Sequence, residues 1–229
     1  MFSNGYELDK RVSSFMVGVY GWMSGALAIT AGTAYYVAHT PAIFTYVYTH
    51  PALLLGLIFG QLALVFAMSF FINRMSFITA LVLFLVYAAT LGITLASIFY
   101  VYTESSIITT FLTTAGMFGV MSLYGYVTKA DLTTVGNMSI MVLVGLIIGM
   151  LINLFLKSEQ FDYILSGIGV VIFVLLTAYD TQRIKQLGRL MLVEQEVIGK
   201  VTLLGALSLY LDFINLFLFL LRFMGSRRE

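Results

Sequence analysis

The sequence predicts an all-α integral membrane protein of seven transmembrane helices, on three observations. Hydrophobic residues make up 60% of the 229 and charged residues 10%, with a mean hydropathy of +0.99; no soluble domain of this length could cover so much apolar surface. Charge-free runs long enough to cross a bilayer, about 20 residues each, recur along the whole chain. These runs lack the alternating pattern of a barrel strand, and lipid-exposed backbone must satisfy its own hydrogen bonds, so the spans are helices.

The elements follow in order. Met1 to Ser13 is polar and holds four charges, with no cleavable leader, so the first helix is expected to act as its own retained insertion signal. From Val12 to Asn73 the chain contains no Asp, Glu, Lys or Arg. HTPAIFTYVYTHP, His39 to Pro51, divides that run as a loop and leaves spans near 14–38 and 52–72. Spans near 76–101, 107–127 and 135–156 follow, with short links around Glu104 and around Lys129 and Asp131. Two late stretches, near 161–187 and 199–223, complete the seven. Three small-residue pairs, Gly21 and Gly25, Gly56 and Gly60, Gly145 and Gly149, mark places where helices are expected to pack closely. No internal repeat or linker is visible, and residues 1–229 are read as one domain.

Basic residues in short loops set the orientation. An N-terminus inside places Lys10, Arg11, Arg74, Lys129, Arg183, Lys185, Arg189 and Lys200 in the cytoplasm and leaves Lys157, Arg222, Arg227 and Arg228 outside, eight against four. The basic tail GSRRE runs against this, and a last segment that crosses only partly would bring it back inside. Tyr35, Tyr36, Tyr46, Tyr48, Tyr100 and Tyr102 gather at span ends on one side, as an interfacial aromatic belt does.

Function is sought in the last third. Asp180 follows a charge-free run from Tyr163 to Tyr179, and Asp212 is the only charge between Val201 and Leu221. Eleven uncharged residues precede Asp212 and nine follow it, which places it near mid-membrane. A carboxylate there is costly and ordinarily faces the protein interior with a partner; simple interhelical adhesion is the plainer alternative. The two acids are symmetric about residue 196, inside the polar stretch Val193 to Lys200. A helical hairpin turning there puts both at one depth, roughly 24 Å from the turn. The sixth helix would then run past the apolar core and end near Leu192. Gly205, Ser208, Asp212 and Asn215 form a small and polar stripe at helical spacing, with Thr177 three residues before Asp180. Arg74, the only charge between Arg11 and Glu104, is either an ordinary interfacial anchor or a cation that pairs with Asp180 in one conformation.

YGWM (Tyr20 to Met23), GMFGVMSLYGYVTKADL (Gly116 to Leu132), GNM (Gly136 to Met138), LTAYDTQRIK (Leu176 to Lys185) and LGALSLYLDFINLFLFLLR (Leu204 to Arg222) resemble the Bax inhibitor-one family, and its bacterial inner-membrane branch in particular. The resemblance covers nearly the whole chain. It implies seven helices, with two three-helix layers around a central C-terminal helix, and a pH-regulated calcium leak governed by a hydrogen-bonded aspartate pair. That pair falls on Asp180 and Asp212, and the family's bridging arginine falls on Arg74.

Residue chemistry agrees with this. Two carboxyls sharing a site titrate as a unit and hold one proton between them. Without that proton two anions repel, and either the helices part or a cation is recruited. Asp180 and Asp212 suit a hard ion such as calcium, but two carboxylates fall short of its usual six to eight oxygens, so transient passage fits better than a tight site. Calcium is thus the expected permeant ion, and no cofactor is expected. The other expected partners are the lipid bilayer and a membrane protease that a non-conducting regulator would control. The net charge of +1 predicts no nucleic-acid partner. Zero Cys excludes thiolate catalysis and Cys-based metal sites. His39 and His50 sit in one loop, with no HExxH or GxSxG anywhere. An aspartyl protease of the intramembrane type shares the dipeptide Tyr179–Asp180, but Asp212 lies in LYLD instead of GxGD, and the only prolines are Pro41 and Pro51. A non-enzyme is expected.

Overall fold

The computed structural model describes residues 2–191 and 195–228, with side chains at 7–190 and 198–228. Nine α-helices appear among them: α1 (Phe2–Ala38), α2 (Pro41–Thr49), α3 (Pro51–Phe71), α4 (Phe77–Leu95), α5 (Ile98–Val101), α6 (Glu104–Val127), α7 (Thr133–Leu156), α8 (Glu159–Met191) and α9 (Gln195–Met224). Seven stretches are long and apolar enough to cross a membrane: Glu7–Ala38, Pro51–Arg74, Phe77–Val101, Glu104–Val127, Thr133–Leu156, Glu159–Leu190 and Ile198–Met224. The expected spans are all present, within a few residues at most ends. The largest difference is at the start, where α1 is already helical through the charged residues Glu7 to Arg11, and Asp9 there meets Arg189 at 2.7 Å. The expected turn at residue 196 is not there: α9 begins at Gln195 and already contains residue 196, α8 ends at Met191, and residues 192–194 lie outside the described residues.

The segment from His39 to Pro51 is not a loop. It contains α2, because Pro41 occupies a first helical position, where a missing N–H costs nothing. Pro51 starts α3 in the same way. Tyr48 anchors α2: its hydroxyl lies 2.9 and 3.0 Å from the Ile93 and Thr94 carbonyls and accepts from Ser97 N–H at 3.0 Å. His39 and His50 flank the helix and are exposed, with their Nδ1 atoms on the Tyr35 and Tyr46 carbonyls. The aromatic belt is therefore partial. Tyr35, Tyr36 and Tyr46 are exposed, whereas Tyr102 is buried and Tyr100 donates to the Ala38 carbonyl.

The chain divides into two compact units, each made of two separate stretches. The first comprises Met1–Val101 and Leu187–Tyr210. In it α1 crosses α4 so closely that a methyl on Gly92 would overlap the Thr30 carbonyl and the Thr33 Cβ. Beside that crossing the buried Thr30 hydroxyl lies 2.6 Å from the Tyr210 hydroxyl and 2.9 Å from the Ala88 carbonyl.

The second unit comprises Tyr102–Gln186 and Leu211–Glu229. Phe213 packs edge-on against Phe111 and Phe118, and Phe219 stacks on Phe173 beside Gly169, where a methyl would overlap the Phe219 ring. The tail is pinned to the start of α6. Thr103 N–H donates to the Ser226 carbonyl at 3.1 Å and Ser226 N–H to Ser106 Oγ at 2.9 Å. The last span, 27 residues long, is long and apolar enough to cross a membrane, and its tail lies beside the start of α6. It is also the best covered of the seven, 72% buried against 11–44% for the others.

The expected small-residue pairs are not packing sites. Gly21, Gly25, Gly56, Gly60 and Gly145 have nothing within 4 Å of an added Cβ, and only Gly149 abuts a neighbour, the Leu165 side chain. A GxxxG spacing permits close approach without requiring it. The close approaches use other glycines, among them Gly92, Gly125, Gly136 and Gly169.

Candidate functional site

Asp212 lies on α9 within the second unit, 5% exposed, and a side-chain hydrogen bond joins it to Asp180 on α8. Residue 196, about which their spacing is symmetric, lies inside α9 and not in a turn. Asp180 is half-buried. A carboxylate has no donor, so a hydrogen bond between two carboxyls requires a proton on one of them. The second oxygen of Asp212, Oδ2, is buried and has no hydrogen-bond partner.

Packing fixes the turn of α8 that carries Asp180. Gly125 of α6 lies against the Ala178 backbone, and Gly136 of α7 lies under the Tyr179 ring; a Cβ at either would overlap its neighbour. Thr181 donates to Ser122 Oγ at 3.2 Å, and both are buried. On the other side, Phe213 follows Asp212 directly and is held by Phe111 and Phe118.

Two of the other expected residues bond within their own helix. Thr177 is fully buried but donates to the Phe173 carbonyl at 2.7 Å. Asn215 donates to the Leu211 carbonyl at 2.8 Å. Both satisfy their own helix, as hydroxyl and amide side chains do when the carbonyl one turn back is nearest. Ser208 is half-buried on α9 and belongs to the first unit. Arg74 also belongs to the first unit; it ends the 3₁₀ turn Ile72–Arg74, is exposed, and forms no ion pair with a described residue. No group of three or more His, Cys, Asp or Glu side chains that could hold a metal ion comes together among the described residues.

Sequence reasoning missed Gln182 and the link between α6 and α7. Gln182 Oε1 accepts from Leu132 N–H at 2.9 Å, and its Nε2 donates to the Ala130 carbonyl at 2.8 Å. The available signal was that Gln182 and this link fall inside two of the distinctive motifs, LTAYDTQRIK and GMFGVMSLYGYVTKADL.

Those motifs are matched by known proteins. Residues 12–229 match the family model described as Inhibitor of apoptosis-promoting Bax1. The chain belongs to the Bax inhibitor-1 family. Within it, the chain is 49% identical to the inner membrane protein YbhL of Escherichia coli over 218 residues, 95% of this chain and 93% of that one. It is 44% identical to an uncharacterized protein of Borreliella burgdorferi over 217 residues, covering 95% and 94%. A Deinococcus radiodurans protein is 42% identical over 217 residues, covering 95% and 92%. The family assignment covers both acids and the α6–α7 link, and this chain is a multi-pass membrane protein of that family.

Proposed function

We propose that the protein is a proton-gated calcium leak pathway of the bacterial inner membrane, with Asp180 and Asp212 as the gate. The observation that carries this reading is the hydrogen bond between two carboxyl groups on neighbouring spans, one of them buried. With one proton present the two helices are joined by a charge-assisted bond; without it two anions face each other and repel. Asp212 Oδ2, buried and unpartnered, is the atom free to receive an incoming cation or proton. Two carboxylates without a third acidic ligand suit an ion in transit better than one held, and so favour a leak over a storage site. The pair acts as a switch and not as an acid–base dyad in hydrolysis, so the protein is not an enzyme. The excess of Lys and Arg in alternate links places the N-terminus in the cytoplasm, and the homologue named an inner membrane protein supports the location.

The test is calcium flux into liposomes carrying the purified protein, followed across pH. Wild type should show a pH-dependent flux, and Asp180→Asn and Asp212→Asn should each flatten that dependence. A pH profile unchanged in both variants would remove the gate.

A further inference from the structure

The run from Ala178 to Lys185 on α8 carries several tethers to α6, α7 and the link between them. Ala178 and Tyr179 seat on Gly125 and Gly136, and Thr181 bonds Ser122. One turn further, Lys185 donates to the Tyr126 carbonyl at 2.6 Å and sits 4.3 Å above the Tyr126 ring. Between them Gln182, 8% exposed, holds both sides of the five-residue link 128–132 with one carboxamide: the amide proton of Leu132 on its oxygen, the Ala130 carbonyl on its nitrogen. Asp180, two residues before it, is the one member of this run that turns to α9.

We infer that Gln182 is a positioning residue, whose carboxamide fastens the α6–α7 link to the turn of α8 carrying Asp180, so that separation of the aspartate pair and release of the link are coupled. This rests on the gate reading above. The carboxamide contacts are 2.8 and 2.9 Å long, and a helix shift of about 1 Å takes both beyond hydrogen-bond range together. Leu132 is buried, so its amide cannot turn to water without moving the link. The titratable and charged groups within about two turns of Gln182 and the link are Tyr124 and Tyr126 on α6, Lys129 and Asp131 on the link, and Tyr179, Asp180, Arg183, Lys185 and Arg189 on α8, with Asp212 reached from Asp180 on α9; α7 carries none. Among them, Asp180 is the group whose charge reaches Asp212.

The experiment is amide hydrogen exchange of the full-length protein in bilayer nanodiscs, read on the peptide covering residues 128–133 at mildly acidic and mildly alkaline pH. In wild type, exchange corrected for intrinsic rate should change about tenfold with pH, as one buried hydrogen bond made or broken implies. Asp212→Asn should abolish the pH change. Gln182→Leu should expose the link at every pH and move the midpoint of the calcium-flux profile by about half a pH unit, a displaced carboxyl being one whose proton affinity shifts. Gln182→Glu keeps the acceptor for Leu132 N–H and should fall between, which preserves the test if the leucine variant does not fold. Exchange that is independent of pH in wild type overturns the inference. So does a link loosened by Gln182→Leu with the flux midpoint unmoved, since the clamp would then be structural only. Absent calcium flux alongside pH-dependent exchange that Asp212→Asn abolishes would end the leak reading and leave the coupling standing.

Discussion

Gly125→Ala is the substitution whose effect can be worked out furthest from the geometry. The added methyl would overlap the Ala178 carbonyl oxygen and lie 2.9 Å from the Ala178 carbonyl carbon and Cα. These are backbone atoms of a helix and cannot rotate away, so α8 must retreat by about 1 Å at this point to restore ordinary contact. Overpacking of this kind costs about 1–3 kcal/mol. The retreat also takes the Thr181–Ser122 bond, already 3.2 Å long, out of range, adding about 0.6 kcal/mol on the scale measured between membrane helices. The expected loss is therefore about 1.6–3.6 kcal/mol in a reversible detergent-unfolding titration. Gly145→Ala is the control: nothing lies within 4 Å of its added Cβ, and the gain in helix propensity should make it neutral or slightly stabilising, by up to about 1 kcal/mol. Equal effects at the two glycines would refute the claim that α6 and α8 touch through Gly125.

Two further outcomes follow from polar contacts. Tyr210→Phe removes the partner of the Thr30 hydroxyl but leaves that hydroxyl on the Ala88 carbonyl; the loss should be about 1 kcal/mol in the same titration, and more than about 3 kcal/mol would mean the hydroxyl holds more than this one bond. At the start of α7, the Thr133 hydroxyl and then the Thr133 N–H hold the Asp131 carboxyl below its ordinary value. Because the folded value is the lower one, this contact stabilises the folded state above the unfolded value and is lost as pH falls through the folded one. A carboxyl titration by NMR should place Asp131 below free aspartate, and Thr133→Ala should return it upward; an unmoved Asp131 in that variant would sink the assignment.

Much of this was legible in the residues. Hydropathy gave the seven spans because lipid tolerates so few charges that their positions mark the span ends. That Asp180 and Asp212 fall on two consecutive late spans was legible from their charge-free flanks, but the residue midway between them, 196, is helix and not turn. Other features were not. The α2 segment reads as a loop from its two prolines and two histidines, yet a proline at a first helical position starts a helix as readily as it ends one. Small-residue pairs at α1 and α3 gave no contact and the α7 pair only the one at Gly149, because spacing along one helix says nothing about what faces it. The Gln182 clamp could be suspected only from its place in a distinctive motif, because its partners are a backbone N–H and a backbone carbonyl, which leave no mark in the residue types.

Adhesion alone is a poor account of Asp212. A buried carboxyl oxygen without a donor costs about 1–3 kcal/mol, and Asp212 Oδ2 is such an atom. An asparagine at the same position would keep an acceptor, supply two donors of its own and need no shared proton to bond Asp180. If the pair existed to hold α8 to α9, the amide would be the better choice. Asp212→Asn should accordingly leave stability unchanged or raise it by up to about 1 kcal/mol, while removing the response to pH. A loss above about 2 kcal/mol in detergent unfolding would reverse that conclusion, because an acid that binds its neighbour better than an amide does is acting as a strut.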